Sequence, residues 1–191
     1  MKVQIEKTFA MPSSASVAWA LLKDIEAVAT CMPGAAITER TDATHYKGTV
    51  SVRVGPASMS FRGNVEVLSV DETTRTMRLL GKGTDTTGTS GASMDLTARV
   101  QTAPSAAVDA CELVGTSEVS MSGKAATFGG RMMGAVADQV LKQFAANFAI
   151  KAQTLQTQQQ APAAAKELDG LALMWAVFTT WLRGIFQSPK K

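Results

Sequence analysis

Residues 128–148 read Phe-Gly-Gly-Arg-Met-Met-Gly-Ala-Val-Ala-Asp-Gln-Val-Leu-Lys-Gln-Phe-Ala-Ala-Asn-Phe. Phe128, Met132, Val136, Val140, Phe144 and Phe148 recur at steps of four, flanked by Met133, Ala137 and Leu141. That spacing predicts a long amphipathic helix of about six or seven turns at ~3.6 residues per turn. Strictly four-spaced residues drift around a helix, so its apolar stripe is broad and slightly wound. Upstream of Ser122-Gly123 the period is two. A single long helix after a single sheet is expected to lie across the sheet's concave face.

Working back from the helix, Cys111, Leu113, Val119 and Met121 share a strand face, and Met94, Leu96, Ala98 and Val100 alternate before the Pro104 turn. Thr76–Leu80 pairs back across the Asp71–Thr74 turn, while the Gly/Thr-rich stretch Gly81–Gly91 reads as edge strand and loop. Met59, Phe61, Gly63, Val65 and Val67 form one face; Leu68 and Val70 switch parity, the mark of a bulge or a strand end. Tyr46, Gly48, Val50, Val52 and Val54 form another face, ended by Gly55-Pro56. Turn signals about ten residues apart, with no helix between, predict an antiparallel meander. At the N-terminus Val3, Ile5 and Phe9 alternate with Lys7 as the exception. Serines 13, 14 and 16 ahead of Val17, Trp19, Leu21 and Leu22 suggest a capped short helix, and a second runs through Ile25–Ala29 to Met32-Pro33-Gly34.

The chain has 191 residues, 46% hydrophobic and 18% charged, with a net charge of +3. Four basic residues (Lys166, Arg183, Lys190, Lys191) against two acidic ones (Glu167, Asp169) put +2 of that in the tail, leaving +1 for residues 1–165. So neutral a body, with no basic stripe among its aromatics, excludes nucleic acid as a partner. Two cysteines, Cys31 and Cys111, and the single His45 give no metal-ligand spacing and no disulfide framework. The N-terminus alternates like a strand and lacks the apolar run of a secretory signal, so a cytoplasmic body with free thiols is expected. No catalytic constellation is visible: His45 lies in a turn without a nucleophile, and no paired carboxylates are placed for acid–base work.

Strand, two short helices, antiparallel meander and long C-terminal helix follow in the order of the START-like helix-grip fold, an α+β architecture. Along that order stand Val17-Ala18-Trp19, Cys31-Met32-Pro33-Gly34, Tyr46-Lys47-Gly48-Thr49-Val50, Val54-Gly55-Pro56, Phe61-Arg62-Gly63, and Gly123-Lys124-Ala125-Ala126 running into Gly130-Arg131-Met132-Met133. In these residues the sequence resembles the G-subunit family of carbon monoxide dehydrogenase over residues 1–150. That resemblance implies a non-catalytic protein with an apolar cavity, serving a molybdenum-containing carbon monoxide dehydrogenase or related hydroxylase at the inner membrane. It also implies a bound respiratory quinone, menaquinone or ubiquinone, with no covalent cofactor.

A ligand-binding domain is therefore expected over residues 1–152. Met59, Phe61, Met77, Leu79, Met94 and Leu96 are its candidate cavity wall on the strands, with Met132, Val136, Val140 and Phe144 from the helix. Methionines suit a pliable pocket, although the same residues serve equally as solid core. Trp19 and Met32, on the helices that plug one end of such a sheet, are candidate gate residues; an ordinary core tryptophan beside a tight turn is the alternative. Arg131, in the first helical turn, offers donors to a carbonyl oxygen, or else faces solvent or pairs with a strand carboxylate.

Residues 153–166, rich in Gln and Ala, read as a polar linker, and 167–191 as a membrane-associating tail helix. Gly170 to Phe186 spans 17 residues, or about 25 Å as helix against a hydrocarbon core of ~30 Å. It suits a segment lying in one leaflet. Leu171, Leu173, Met174, Val177, Phe178, Leu182, Ile185 and Phe186 supply apolar contact, Trp175 and Trp181 fit the headgroup boundary, and Arg183 reaches anionic phosphates. Docking of the tail onto a protein partner and its folding back onto the mouth of the body's own cavity are the competing readings. Peripheral attachment to the cytoplasmic side of the inner membrane follows from the favoured one. A ligand-free membrane adaptor and a small START-like cyclase or hydrolase remain as other possible roles.

Overall fold

The computed structural model describes residues 1–54, 57–103 and 110–160. Residues Met1–Gln156 form one compact unit. Strand β1 (Lys2–Met11) is followed by helices α1 (Ala15–Lys23) and α2 (Ile25–Ala29). Then come β2 (Ala35–Arg40), β3 (His45–Val54), β4 (Ala57–Asp71), β5 (Thr76–Asp85), β6 (Ser90–Thr102) and β7 (Cys111–Gly123). A 3₁₀ turn at Lys124–Phe128 leads into α3 (Gly129–Gln160). The seven strands form one antiparallel sheet in the order β1-β7-β6-β5-β4-β3-β2.

The two short helices are set by local chemistry. Ser14 caps α1, its Oγ accepting the Val17 N–H at 3.3 Å. Asp24 ends α1 and caps α2, its carboxylate accepting the Ala27 N–H at 2.9 Å. At Gly34 the chain turns into β2 with φ +75°, and a Cβ there would lie 2.2 Å from the Ser51 carbonyl oxygen. Only glycine meets both demands.

Gly81–Gly91 holds the expected loop, at residues 86–89, but its strands are not edge strands. β5 continues to Asp85, β6 begins at Ser90, and both strands are interior to the sheet. Gly48, Gly63, Gly83 and Ala92 lie side by side across β3, β4, β5 and β6. A Cβ on Gly63 would come 2.0 Å from the Lys82 carbonyl oxygen, so the curled sheet needs small residues here. The composition that mimics a loop is the composition of a tight bend. The parity switch after Val67 is a bulge, with the β4–β5 register shifting between Val67 and Ser69.

Helix α3 is longer than its apolar spacing suggested and presents a different face. It runs 32 residues, and its buried members are Met133, Phe144, Phe148 and Ala152. A four-residue step turns the stripe by about 40° each time, so six such residues cannot all meet one sheet. Phe128 accordingly lies in the preceding 3₁₀ turn, and Met132 is 44% exposed. Residues 153–160, read as linker, are helical: Leu155 packs against the core, and Gln156 Oε1 accepts the Ser14 N–H at 2.6 Å. The rest of that segment, 161–166, and every residue assigned to the tail lie outside the described residues.

Candidate functional site

The concave face is filled at one end only. There Met77, Leu79, Ala98, Val100 and Leu113 from the sheet pack with Trp19, Leu21, Leu22 and Ile25 of the short helices and with Phe144, Phe148 and Ala152 of α3. Polar bonds hold α3 to this plug. Asn147 Nδ2 donates to the Cys31 carbonyl at 2.9 Å, and Lys151 Nζ donates to Thr30 Oγ1 at 2.7 Å and to the Ala27 carbonyl at 3.2 Å. The Trp19 indole N–H donates to Glu72 Oε2, and Lys23 Nζ lies 2.7 Å from the other carboxylate oxygen. Those donors, Lys23 first and Trp19 second, pull the Glu72 carboxyl below its usual range. Burial pushes the Cys31 and Cys111 thiols up, which keeps both unreactive.

Further along the same strands the filling stops. Strand register turns Val3 and Ile5 of β1, Val119 and Met121 of β7 and Met94 of β6 toward α3, yet all are only half-buried. On the facing stretch of α3, Met133 is buried while Val136, Ala137, Val140 and Leu141 are half-buried. A Cβ built on Gly115 would have only Leu96 Cδ1 within 4 Å, at 3.8 Å. Apolar side chains that face a helix and still reach solvent border unfilled apolar space. At its edge, Lys7 Nζ of β1 and Asp138 Oδ1 of α3 pair at 2.9 Å. The break in the β1 alternation is thus a tie between the first strand and the last helix.

The expected wall residues divide between the two ends. Trp19, Met77, Leu79 and Phe144 belong to the closed core, with Met32 and Leu96 packed against it. Met59, Phe61, Met94, Val136 and Val140 lie on the half-open part, where Phe61 alone of these is buried. Met132 and Arg131 are exposed in the first turns of α3. Val3, Ile5, Ser117, Val119, Met121 and Met133 were not anticipated. The alternation of β1 and β7 was legible, but the pairing that brings them together, Lys2 opposite Ser120 through Met11 opposite Cys111, was not.

A second concavity of about 530 Å³ has different chemistry. It is lined by Arg62, Asn64, Lys82, Thr84, Ser93, Ser120 and Ser122 together with Gly63, Gly83, Gly91, Ala92 and Met121. By strand alternation its polar side chains belong to the face opposite Phe61 and Met94. Hydroxyls and cations suit no apolar ligand. His45 sits beside Asp42, whose carboxyl is held far below its usual range by the Thr44 backbone N–H and the His45 side chain. Among the described residues, no three His, Cys, Asp or Glu side chains converge to hold a metal ion. No described helix is long and apolar enough to cross a membrane.

A curved antiparallel sheet gripping one long helix, with two short helices plugging one end, defines the START-like helix-grip class. Solved structures share this fold. A conserved protein from Geobacillus kaustophilus is similar at TM-score 0.69 and 18% identity, covering 80% of this chain and 96% of its own. The ZhuI aromatase/cyclase of Streptomyces sp. R1128 is similar at 0.57 and 17%, covering 86% and 99%. A START superfamily protein from Mycobacterium smegmatis is similar at 0.55 and 16%, covering 80% and 98%. At these identities the likeness is one of fold. No curated protein sequence matches the chain. Residues 8–153 match the family model of the carbon monoxide dehydrogenase G subunit, CoxG, and the chain belongs to that family. That family is one of accessory subunits.

Proposed function

We propose that the protein binds an isoprenoid quinone, menaquinone or ubiquinone, in the half-open cleft and recruits a molybdenum-containing carbon monoxide dehydrogenase or related hydroxylase to the membrane. The protein itself performs no chemistry. Electron acceptance belongs to the quinone, and the chain supplies an apolar berth in which an insoluble ring and prenyl chain can leave the bilayer at small cost. The observation that carries this reading is the row of half-buried apolar residues facing α3, Val3, Ile5, Met94, Val119 and Met121, beyond a fully packed core. The apolar segment 170–186 holds the body at the cytoplasmic side of the inner membrane, where such a ligand resides.

The test is organic extraction and mass spectrometry of the full chain purified from its own membranes, beside a chain ending at Gln160. A stoichiometric quinone in both places the ligand in the body and leaves the tail as an anchor. No quinone in either, with only the full chain membrane-bound, would replace this reading by a ligand-free adaptor.

A further inference from the structure

We propose that the Ser117 hydroxyl is the polar anchor of the cleft, selecting a ligand that is apolar except for a neutral oxygen-bearing head such as a carbonyl. The inference rests on the cleft binding a hydrophobic ligand and names how that ligand is oriented and what class it belongs to. Ser117 is 7% exposed, and its Oγ is fully shielded with no hydrogen-bond partner. Register turns it toward α3, with Ile5 of β1 on one side and Leu96 of β6 on the other. A buried hydroxyl without a partner costs free energy in the empty protein, and native structures rarely keep one without a use.

Its position supplies the use. Along β7, Cys111 and Leu113 are buried in the closed core while Val119 and Met121 are half-buried. Ser117 therefore stands where β7 passes from buried to half-buried residues, beside Gly115, and its shielded Oγ reaches the cleft by a change of rotamer. A head group lodged there would accept the Ser117 O–H, and the rest of the molecule would run out past Met94, Val119 and Met121. The nearby cation does not invite a charged head. Lys7, opposite Gly115, already pairs with Asp138 at 2.9 Å. An ionised carboxylate brought to this point would be desolvated without a free counter-charge, which excludes a fatty-acid head.

The full-length protein, its Ser117→Ala variant and its Ser117→Thr variant should be titrated with a short-chain ubiquinone and, separately, with squalene, which has no oxygen. Ser117→Ala is expected to weaken the quinone roughly three- to tenfold, the net worth of one hydrogen bond. Squalene affinity should not change, Ser117→Thr should restore quinone binding, and the ligand-free Ser117→Ala protein should melt no lower than the parent. Quinone binding that survives Ser117→Ala intact overturns the anchor while leaving the cleft as the binding site. Failure of the parent to bind either compound overturns the cleft reading, and the anchor with it. A ligand-free Ser117→Ala protein that melts lower would mean the hydroxyl has a structural partner, and would also overturn the anchor.

Discussion

Truncating Phe148 of α3 and Val119 of β7, on the two sides of the helix–sheet interface, should produce losses of quite different size. Phe148 is completely buried, with its ring centroid 5.8 Å from that of Phe144 and the closed core all around it. Phe148→Ala removes that contact and leaves a cavity the packed surroundings cannot fill, at a cost of about 3–5 kcal/mol. For a domain of this size that is a fall in Tm on the order of 10 °C, and a large share of the ~5–15 kcal/mol that usually holds a domain together. Val119 faces α3 from β7 but is only half-buried. Val119→Ala loses little buried surface and opens no closed cavity, so a cost below about 1 kcal/mol is expected. Urea unfolding of both variants at unchanged m-value measures the contrast directly. Comparable losses at the two sites would mean that the face is packed from end to end, and the argument for a cleft would fail.

Other consequences can be checked in the same way. Gly34→Ala places a Cβ 2.2 Å from the Ser51 carbonyl oxygen at φ +75°, and a loss of roughly 1–3 kcal/mol is expected by chemical unfolding. A chain ending at Thr154 removes the Gln156 bond to the Ser14 N–H and the Leu155 contact; it should melt measurably below one ending at Gln160, whereas equal melting would restore the linker reading. The Lys7–Asp138 pair is partly exposed, at 39% and 63% of its side chains, so a Lys7→Met, Asp138→Asn double-mutant cycle should return a coupling of no more than about 1 kcal/mol. Glu72 is held below its usual carboxyl range by Lys23 and Trp19. Its contribution is present above the unfolded-state value and is lost as pH falls through the folded one, so Glu72→Gln should flatten the acid limb of the stability profile.

The sequence carried most of the element order because each element is encoded locally. Period-two runs, the Ser14 and Asp24 caps and the turn at Asp71–Thr74 act over a few residues. Where reading along the chain failed, a distant partner was involved. Gly81 and Gly83 look like loop residues until strands on both sides supply their hydrogen bonds and the bend forbids larger side chains. Gln156 looks like part of a polar linker until Ser14, far away in sequence, supplies the donor that ties its side chain to the body.

The site divides in the same manner. Apolar residues on strands and helix were legible as one set by their period alone. Which members fill the core and which border space was not legible, because burial depends on how far α3 stands from each strand. The sequence alone established a meander followed by a gripping helix, a nearly neutral body and an apolar segment beyond it. Tertiary structure decided that β1 closes on β7, that α3 buries Met133, Phe144 and Phe148, and that Ser117 lies where β7 passes from buried to half-buried residues. Periodicity assigns a side chain to a face, but only packing across long sequence separations determines what, if anything, meets it there.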